Sequence, residues 1–386
     1  MSKRVVHLIT HFALGGATET VLAICKHADR SRFEASVLCG HTDPREDTLF
    51  SEAQQAGIRT DILPGLCRSI RPPLDFRVYR KLARWLAHEK PDVLHTHGSK
   101  AGILGRLAAA RTGVPTIVHT VHGWGHHDHM SPLSRSAYIA LERRAARVTS
   151  RIIAVAEANV QKGLADGIGK PEQYAVIHSG IDISKFRDAA VDRGALRTEL
   201  GIPVGAPVVG TVSRLAAQKA PEDFLKVAEL VHARCPGVHF VFIGGGPMQK
   251  EFQECIREQK LSGIVHDLGY RHDIPEILRV FDIFLLTSLW EGLPRVFPQA
   301  MCAALPIVAT RVDGAPEAVK DGETGYLLPP RDCQGMADGI LRLLGDSKRR
   351  REFGQAGLER VYPAFCDRDM TRRIEDVYEE CSQGWG

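Results

Sequence analysis

The sequence predicts an α/β protein of two doubly wound domains, each built on a parallel sheet and facing a central cleft. Three observations point there. Short runs rich in β-branched and apolar residues alternate with helical patterns almost from end to end, as βα units require. The alternation is interrupted at residues 188–205 by a polar, turn-rich stretch running into Gly-Ile-Pro-Val-Gly-Ala-Pro. A chain of 386 residues is also long enough for more than one buried core.

In chain order, strands are expected at 5–9, 35–38, 93–96, 116–121, 152–155 and 174–178, with helices such as 18–28 and 100–111 between them. These make an N-terminal domain, 1–187. After the linker, 188–205, a second set at 208–213, 238–244, 265–269, 283–287 and 307–310 makes a C-terminal domain, 206–365. The remainder, 366–386, reads as one more helix, expected to pack back on the N-terminal domain. Doubly wound sheets bind ligands beyond the carboxyl ends of their strands, so the cleft between the domains is the expected site.

Composition narrows the function classes. Hydrophobic residues are 44% and charged residues 25%, ordinary values for a folded globular chain, so fibrous and disordered classes are excluded. The net charge of +4 is too small over this length for wholesale nucleic-acid binding, and any basic partner surface must be local. Nine cysteines are scattered singly without a Cys-x-x-Cys pair, as in a reducing compartment. No run approaches the ~18 apolar residues of a membrane span, and the first residues lack a secretory pattern. A cytoplasmic protein is expected.

Four segments carry candidate chemistry. Gly15 and Gly16 follow the first strand and open a helix, where a backbone without Cβ atoms and unpaired amides suit a phosphate; a plain turn would look the same. Arg214 and Lys219 follow the first strand of the second domain, a forked donor and a mobile point charge that suit a diphosphate, or else two solvated loop cations. Gly244, Gly245 and Gly246 precede Pro247 at an expected helix start, for nucleotide approach or for a tight turn. Finally, Glu291 to Arg295 form a loop before a helix expected near Pro294. Glu291 there offers two acceptor oxygens to neighbouring sugar hydroxyls, or caps the helix.

Taken together, paired glycines after the first strand, Arg and Lys five apart, Gly-Gly-Gly-Pro, and Glu-Gly-Leu-Pro with a polar residue eight positions after its glutamate resemble glycosyltransferase family 4. The Ser-Gly-Ile-Asp at 179–182 is similar to the segment that closes the first domain in that family. The resemblance implies the GT-B architecture of two Rossmann-like domains and transfer of a sugar from a nucleotide donor with retention. It puts Gly15 and Gly16 near the donor phosphates, and Arg214 and Lys219 on the diphosphate and its leaving charge. Glu291 would hold the sugar hydroxyls and His122 would lie near the reacting sugar. Gly244, Gly245, Gly246, Arg271, Gly292, Leu293, Pro294, Arg295 and Val296 would complete the donor side. The family's second glutamate, which holds the nucleotide ribose, is Gln299 here. A glutamine has one acceptor oxygen and two donor hydrogens, so a charge-assisted bond becomes a neutral one, about 1–2 kcal/mol weaker.

The expected activity is therefore a retaining, metal-independent hexosyl transfer from a nucleoside-diphosphate sugar to a saccharide or lipid-linked acceptor, in surface polysaccharide or lipopolysaccharide assembly. No cofactor or metal is expected. Two alternatives are an enzyme making a soluble glycoside and a non-catalytic sugar-nucleotide or membrane-binding relative. His119, His122, His126, His127, Asp128 and His129 crowd into eleven residues, but without His-Glu-x-x-His spacing or an accompanying cysteine, so a polar loop is expected rather than zinc. Leu74, Val78, Leu82, Trp85 and Leu86 form an apolar stripe, with Arg77, Arg80, Lys81 and Arg84 displaced to other faces and Arg68 and Arg71 upstream. These cations are expected to draw the protein peripherally to an anionic surface on the inner face of the membrane.

Overall fold

The computed structural model describes residues 2–41, 48–127 and 130–383. The chain divides into two compact units: unit 1 is Met1–Ile181 with Cys366–Gly386, and unit 2 is Asp182–Phe365.

Unit 1 holds a seven-stranded sheet made of β1 (Lys3–Ile9), β2 (Phe33–Cys39), β3 (Arg59–Ile62), β4 (Val93–His97), β5 (Thr116–Val121), β6 (Arg151–Ala154) and β7 (Tyr174–Val176). The strands lie in the order β3-β2-β1-β4-β5-β6-β7, and β1 runs parallel to both β2 and β4. The order reverses between β1 and β4, which makes that point the crevice where a doubly wound sheet presents its ligand loops. Unit 2 repeats the plan with β8 (Val208–Val212), β9 (His239–Ile243), β10 (Val265–Asp267), β11 (Ile283–Leu286), β12 (Ile307–Thr310) and β13 (Gly325–Leu328). Its order is β10-β9-β8-β11-β12-β13, with the reversal between β8 and β11.

Central strands are buried on both faces and read as continuous apolar runs, which is why β5 and β12 start and stop where the sequence places them. The edge strands β3 and β13 were not expected. β3 is Arg-Thr-Asp-Ile, without an apolar run. β13 opens on Gly325, where a Cβ would lie 1.9 Å from the Ile307 carbonyl oxygen.

The helix Asp367–Gln383 belongs with unit 1. Its Met370, Ile374, Val377 and Tyr378 share a core with Val5, Ile24, Phe33 and Val93. Glu375 accepts from the Asp29 amide, and Arg32 pairs with Glu379 at 2.6 Å. The chain enters unit 2 at Asp182, whose side chain caps the helix Ile183–Arg187 through the Lys185 amide. The stretch 188–205 is more than a tether. It contains the helix Arg193–Glu199, and Arg193 and Arg197 both reach Asp282, just before β11, at 2.8 and 3.1 Å. Residues that read as polar punctuation are ion-paired to the sheet.

Candidate active site

In unit 2, the loops that leave β8, β11 and β12 are laced together by their backbones. The Leu289 amide donates to the Gln218 carbonyl at 2.7 Å, and Gln218 Nε2 donates to the Trp290 carbonyl at 2.7 Å. Thr287 Oγ1 donates to the Lys219 and Ala220 carbonyls, and the Gly314 amide to the Gly292 carbonyl. The result brings Lys219 and Glu291, 72 residues apart in sequence, into an ion pair with side chains only 17% and 8% exposed. Glu291 Oε1 accepts from Lys219 Nζ and, at 2.6 Å, from Ser288 Oγ. The Glu291 amide donates to Asp313 Oδ2 at 2.6 Å, which fixes the backbone of the same residue. Both donors to this carboxylate among the described residues reach Oε1, which leaves the acceptor capacity of Oε2 unused by them.

Arg214 is exposed beyond β8 and makes no side-chain hydrogen bond or ion pair among the described residues, so its guanidinium is available to an anion. Gly292, Leu293 and Pro294 are buried in the loop, with Arg295 and Val296 half-buried at the start of the helix Val296–Cys302. Gln299 is buried on that helix. Arg271 sits differently. It forks onto Asp273 at 2.6 and 2.8 Å and reaches Glu199 at 3.3 Å, which raises its pKa and neutralises its charge within the unit.

The glycine triplet has a packing reason. A Cβ on Gly244, whose φ is +128°, would lie 2.0 Å from the Ser213 carbonyl oxygen, and one on Gly246 would lie 2.3 Å from that of Leu215. These glycines let two loops touch. The helix after them starts at Gln249, beyond Pro247, because the Met248 amide is drawn to the Leu215 carbonyl instead.

Unit 1 is different in kind. Gly15 precedes the helix Gly16–His27, and among the described residues a Cβ there would meet only Thr18 Oγ1, at 3.7 Å. Thr18 Oγ1 turns back to the Ala13 and Gly15 carbonyls. The carboxyl ends of β1, β4 and β5 carry imidazoles. His7 Nδ1 lies 3.1 Å from His97 Nε2, and His97 Nδ1 lies 3.0 Å from His122 Nε2. His95 Nδ1 meets the Tyr378 hydroxyl at 2.6 Å and its Nε2 meets Thr120 Oγ1 at 2.7 Å. Burial holds the pKa of His7 down to about 3 and those of His95, His97 and His119 well below the usual range, so these rings are neutral.

Among the described residues, the histidines of the 119–129 stretch bond to different parts of unit 1. His119 is buried and bonds Thr96, His126 is buried and bonds Asp166 at 2.8 Å, and His122 meets His97. His127 is half-buried, and Asp128 and His129 lie outside the described residues. Ligand atoms of His7, His95 and His97 lie within 4.8 Å of one another, a histidine grouping that the sequence did not suggest.

On the helix Pro72–Glu89, Val78, Leu82 and Leu86 are buried, while Arg77, Arg80, Lys81 and Arg84 are exposed, as are Arg71 and Arg68 before it. Arg68 bonds His11. Ile70 and Phe76 stand among these cations, 60% and 62% exposed.

Sequence reasoning missed Ser288, Asp313, His7 and His97. Ser288 could have been found three residues before Glu291 in the same loop. Asp313 was marked only by the Asp-Gly turn after β12.

Two Rossmann-like units on one chain, with a cation and a cation–carboxylate pair gathered where the second sheet reverses, define the GT-B class of protein. The chain belongs to glycosyltransferase family 4: residues 192–360 match the family described as "Glycosyl transferases group 1" and residues 15–180 match "Glycosyl transferase 4-like domain". It is 30% identical over 379 residues to the UDP-Gal:alpha-D-GlcNAc-diphosphoundecaprenol alpha-1,3-galactosyltransferase of Escherichia coli, an alignment covering 97% of this chain and 96% of the relative. It is 26% identical over 362 residues to a GDP-mannose-dependent alpha-mannosyltransferase of Mycobacterium tuberculosis, covering 92% and 91%. Among solved structures, Anabaena Alr3699/HepE in complex with UDP and glucose matches the fold with a TM-score of 0.84 at 24% identity, over 98% of this chain and 100% of that one. The protein is a glycosyltransferase of the nucleotide-sugar-dependent kind.

Proposed function

We propose that the enzyme transfers a hexose from a uridine diphosphate sugar to a lipid-linked saccharide, with retention of configuration and without a metal ion. The observation that carries the reading is the Lys219–Glu291 pair held by Ser288 and Asp313 at the reversal of the second sheet, with Arg214 beside the same strand end. The choice of acceptor draws on the Escherichia coli relative, whose name specifies a diphosphoundecaprenol-linked acceptor and a UDP-galactose donor.

In the proposed reaction, Arg214 and Lys219 receive the diphosphate as its bond to the anomeric carbon lengthens, and they hold the charge it acquires. Glu291 Oε2 accepts from sugar hydroxyls and fixes the ring against that departure. The acceptor hydroxyl then attacks the oxocarbenium-like carbon from the face the diphosphate leaves, which preserves the configuration. The two cations, Lys219 held by Glu291 and Arg214 exposed beside it in the same loop, supply the charge compensation otherwise asked of a divalent ion. Gly15, Gly16 and the loop from Gly292 to Val296 approach the phosphates and sugar, and Gln299 takes the ribose with a neutral hydrogen bond.

A lipid-linked acceptor requires the enzyme to work at a membrane surface. No helix among the described residues is long and apolar enough to cross one. The exposed Arg71, Arg77, Arg80, Lys81 and Arg84 with Ile70 and Phe76 suit peripheral docking on the cytoplasmic face, at about 1 kcal/mol per cation. The place in metabolism is surface polysaccharide or lipopolysaccharide assembly.

One assay tests these points together. UDP-hexoses are incubated with a lipid-diphosphate monosaccharide in anionic vesicles, with and without EDTA. The product should partition into organic solvent, carry the donor's anomeric configuration by NMR and form equally well in EDTA. Product that remains in water, an inverted linkage or loss of turnover in EDTA would each overturn the corresponding part.

A further inference from the structure

The unused feature of unit 1 is its line of imidazoles. His7–His97 and His97–His122 have ring centroids 5.4 and 5.3 Å apart and planes 23° and 30° from parallel. These separations exceed the N···N distances of 3.1 and 3.0 Å by about two ring radii. Each contact therefore runs edge to edge, with the nitrogens facing in line, which is the geometry of an N–H···N hydrogen bond. His95 lies across the face of His97 with centroids 4.2 Å apart, and is itself held at both nitrogens by Tyr378 and Thr120. The ring of His97 is thus fixed in plane and in position.

The protons in such a chain must all point the same way. A neutral imidazole has one N–H and one acceptor, so fixing one ring fixes its neighbours. If the chain points toward His7, then His7 Nε2 carries a hydrogen. That atom is buried and has no hydrogen-bond partner among the described residues, and an orphaned buried N–H is costly. If the chain points outward, His7 Nδ1–H donates to His97 Nε2, His97 Nδ1–H donates to His122 Nε2, and His7 Nε2 is left as a bare lone pair.

We propose that His97, with its proton set by His7, is a positioning residue that holds His122 as the Nδ1–H tautomer and so presents a hydrogen-bond donor toward the donor sugar. Placing His122 near that sugar rests on the function proposed above; the direction of the chain does not. A metal at His7, His95 and His97 is the rival arrangement, and it would have to displace the hydrogen bonds already made by both nitrogens of His95 and of His97.

The test reads the tautomer directly and separately from activity. Histidine ¹⁵N shifts of the full-length protein at neutral pH, assigned with His122→Gln, should show His122 protonated at Nδ1. In His97→Asn the side-chain amide still donates from the Nδ1 position, so the tautomer persists and kcat stays within about threefold. In His97→Asp the carboxylate only accepts, which moves the His122 proton to Nε2 and lowers kcat about tenfold or more with the donor KM little changed. His7→Leu, one shell further out, should leave His122 as a mixture of tautomers. Nε2–H His122 in the parent protein, or an unchanged tautomer in His97→Asp, overturns the proposal. So does stoichiometric binding of Zn²⁺ that His7→Leu abolishes. If no sugar donor supports turnover, the proposed function fails while the ¹⁵N result still decides the relay.

Discussion

The two units share a topology and differ in chemistry. Both sheets reverse after their third strand in space, between β1 and β4 and between β8 and β11, and both present loops at the same ends. At that point unit 2 gathers full charges: Arg214, Lys219, Glu291 and Asp313. Unit 1 gathers imidazoles that burial keeps neutral. One topology therefore carries ionic side chains at the strand ends of one unit and buried neutral imidazoles at those of the other.

The largest expected consequence is in acid. His7, His95, His97 and His119 are fully buried, and burial depresses the pKa of each, to about 3 for His7. Above about pH 6.5 neither the folded nor the unfolded chain protonates them, and stability is intact. As the pH falls below that value, the unfolded chain takes up protons that the fold excludes. Stability is then lost at about 1.4 kcal/mol per pH unit for each ring, on the order of 5 kcal/mol for the four between pH 6 and pH 5. In unit 2, His239 and His266 are lowered in the same direction but are only partly buried. Peptide-resolved hydrogen exchange between pH 7 and 5 should show β1, β4 and β5 losing protection before β8, β11 and β12. Simultaneous loss would mean that the imidazoles are not what separates the two units.

The next effect is on turnover. Glu291→Gln keeps the size of the side chain and a hydrogen bond from Ser288 but removes the charge. Lys219→Ala removes the cation. Each should lower kcat by about 10²- to 10³-fold, and Glu291→Gln should unfold within a few degrees of the parent. Initial rates at saturating donor decide this, and a rate within threefold of the parent would remove charge from the account of unit 2. A parent protein that turns over none of the donors would instead favour a non-catalytic sugar-nucleotide binder, which has no rate for either substitution to lower.

What was legible follows from the range over which each feature is encoded. Strands buried on both faces show as local apolar runs, so β5 and β12 could be read directly; β3 and β13 lie at edges and owe their form to one neighbour. Lys219 and Glu291 were each readable at a strand end, but their pairing depends on Gln218 and Thr287 tying two loops together across 72 residues. His95 was read only as strand and His97 fell one residue past the expected end, because what matters is that they alternate onto one face of β4 and that β4 pairs with β1, opposite His7. A one-residue register shift would have turned both away. The glycines show the reverse case, two similar sequence signals with different surroundings in the fold.

That contrast gives the smallest effect and the sharpest separation of the units. Gly246→Ala puts a Cβ 2.3 Å from the Leu215 carbonyl oxygen, and since backbone must move, about 1–3 kcal/mol of stability should be lost. Among the described residues Gly15→Ala meets nothing closer than Thr18 Oγ1 at 3.7 Å, and the φ of 161° at Gly15 is extended backbone that alanine adopts. Its stability should change by no more than about 0.5 kcal/mol. If the donor phosphates approach the amides that open the helix Gly16–His27, the added methyl stands in their way and donor KM should rise several-fold with kcat nearly unchanged. Urea unfolding and donor titration on the two variants make the comparison. A stable Gly15→Ala with unaltered KM would assign phosphate recognition to unit 2 alone, and leave unit 1 to orient the sugar and acceptor through its imidazoles.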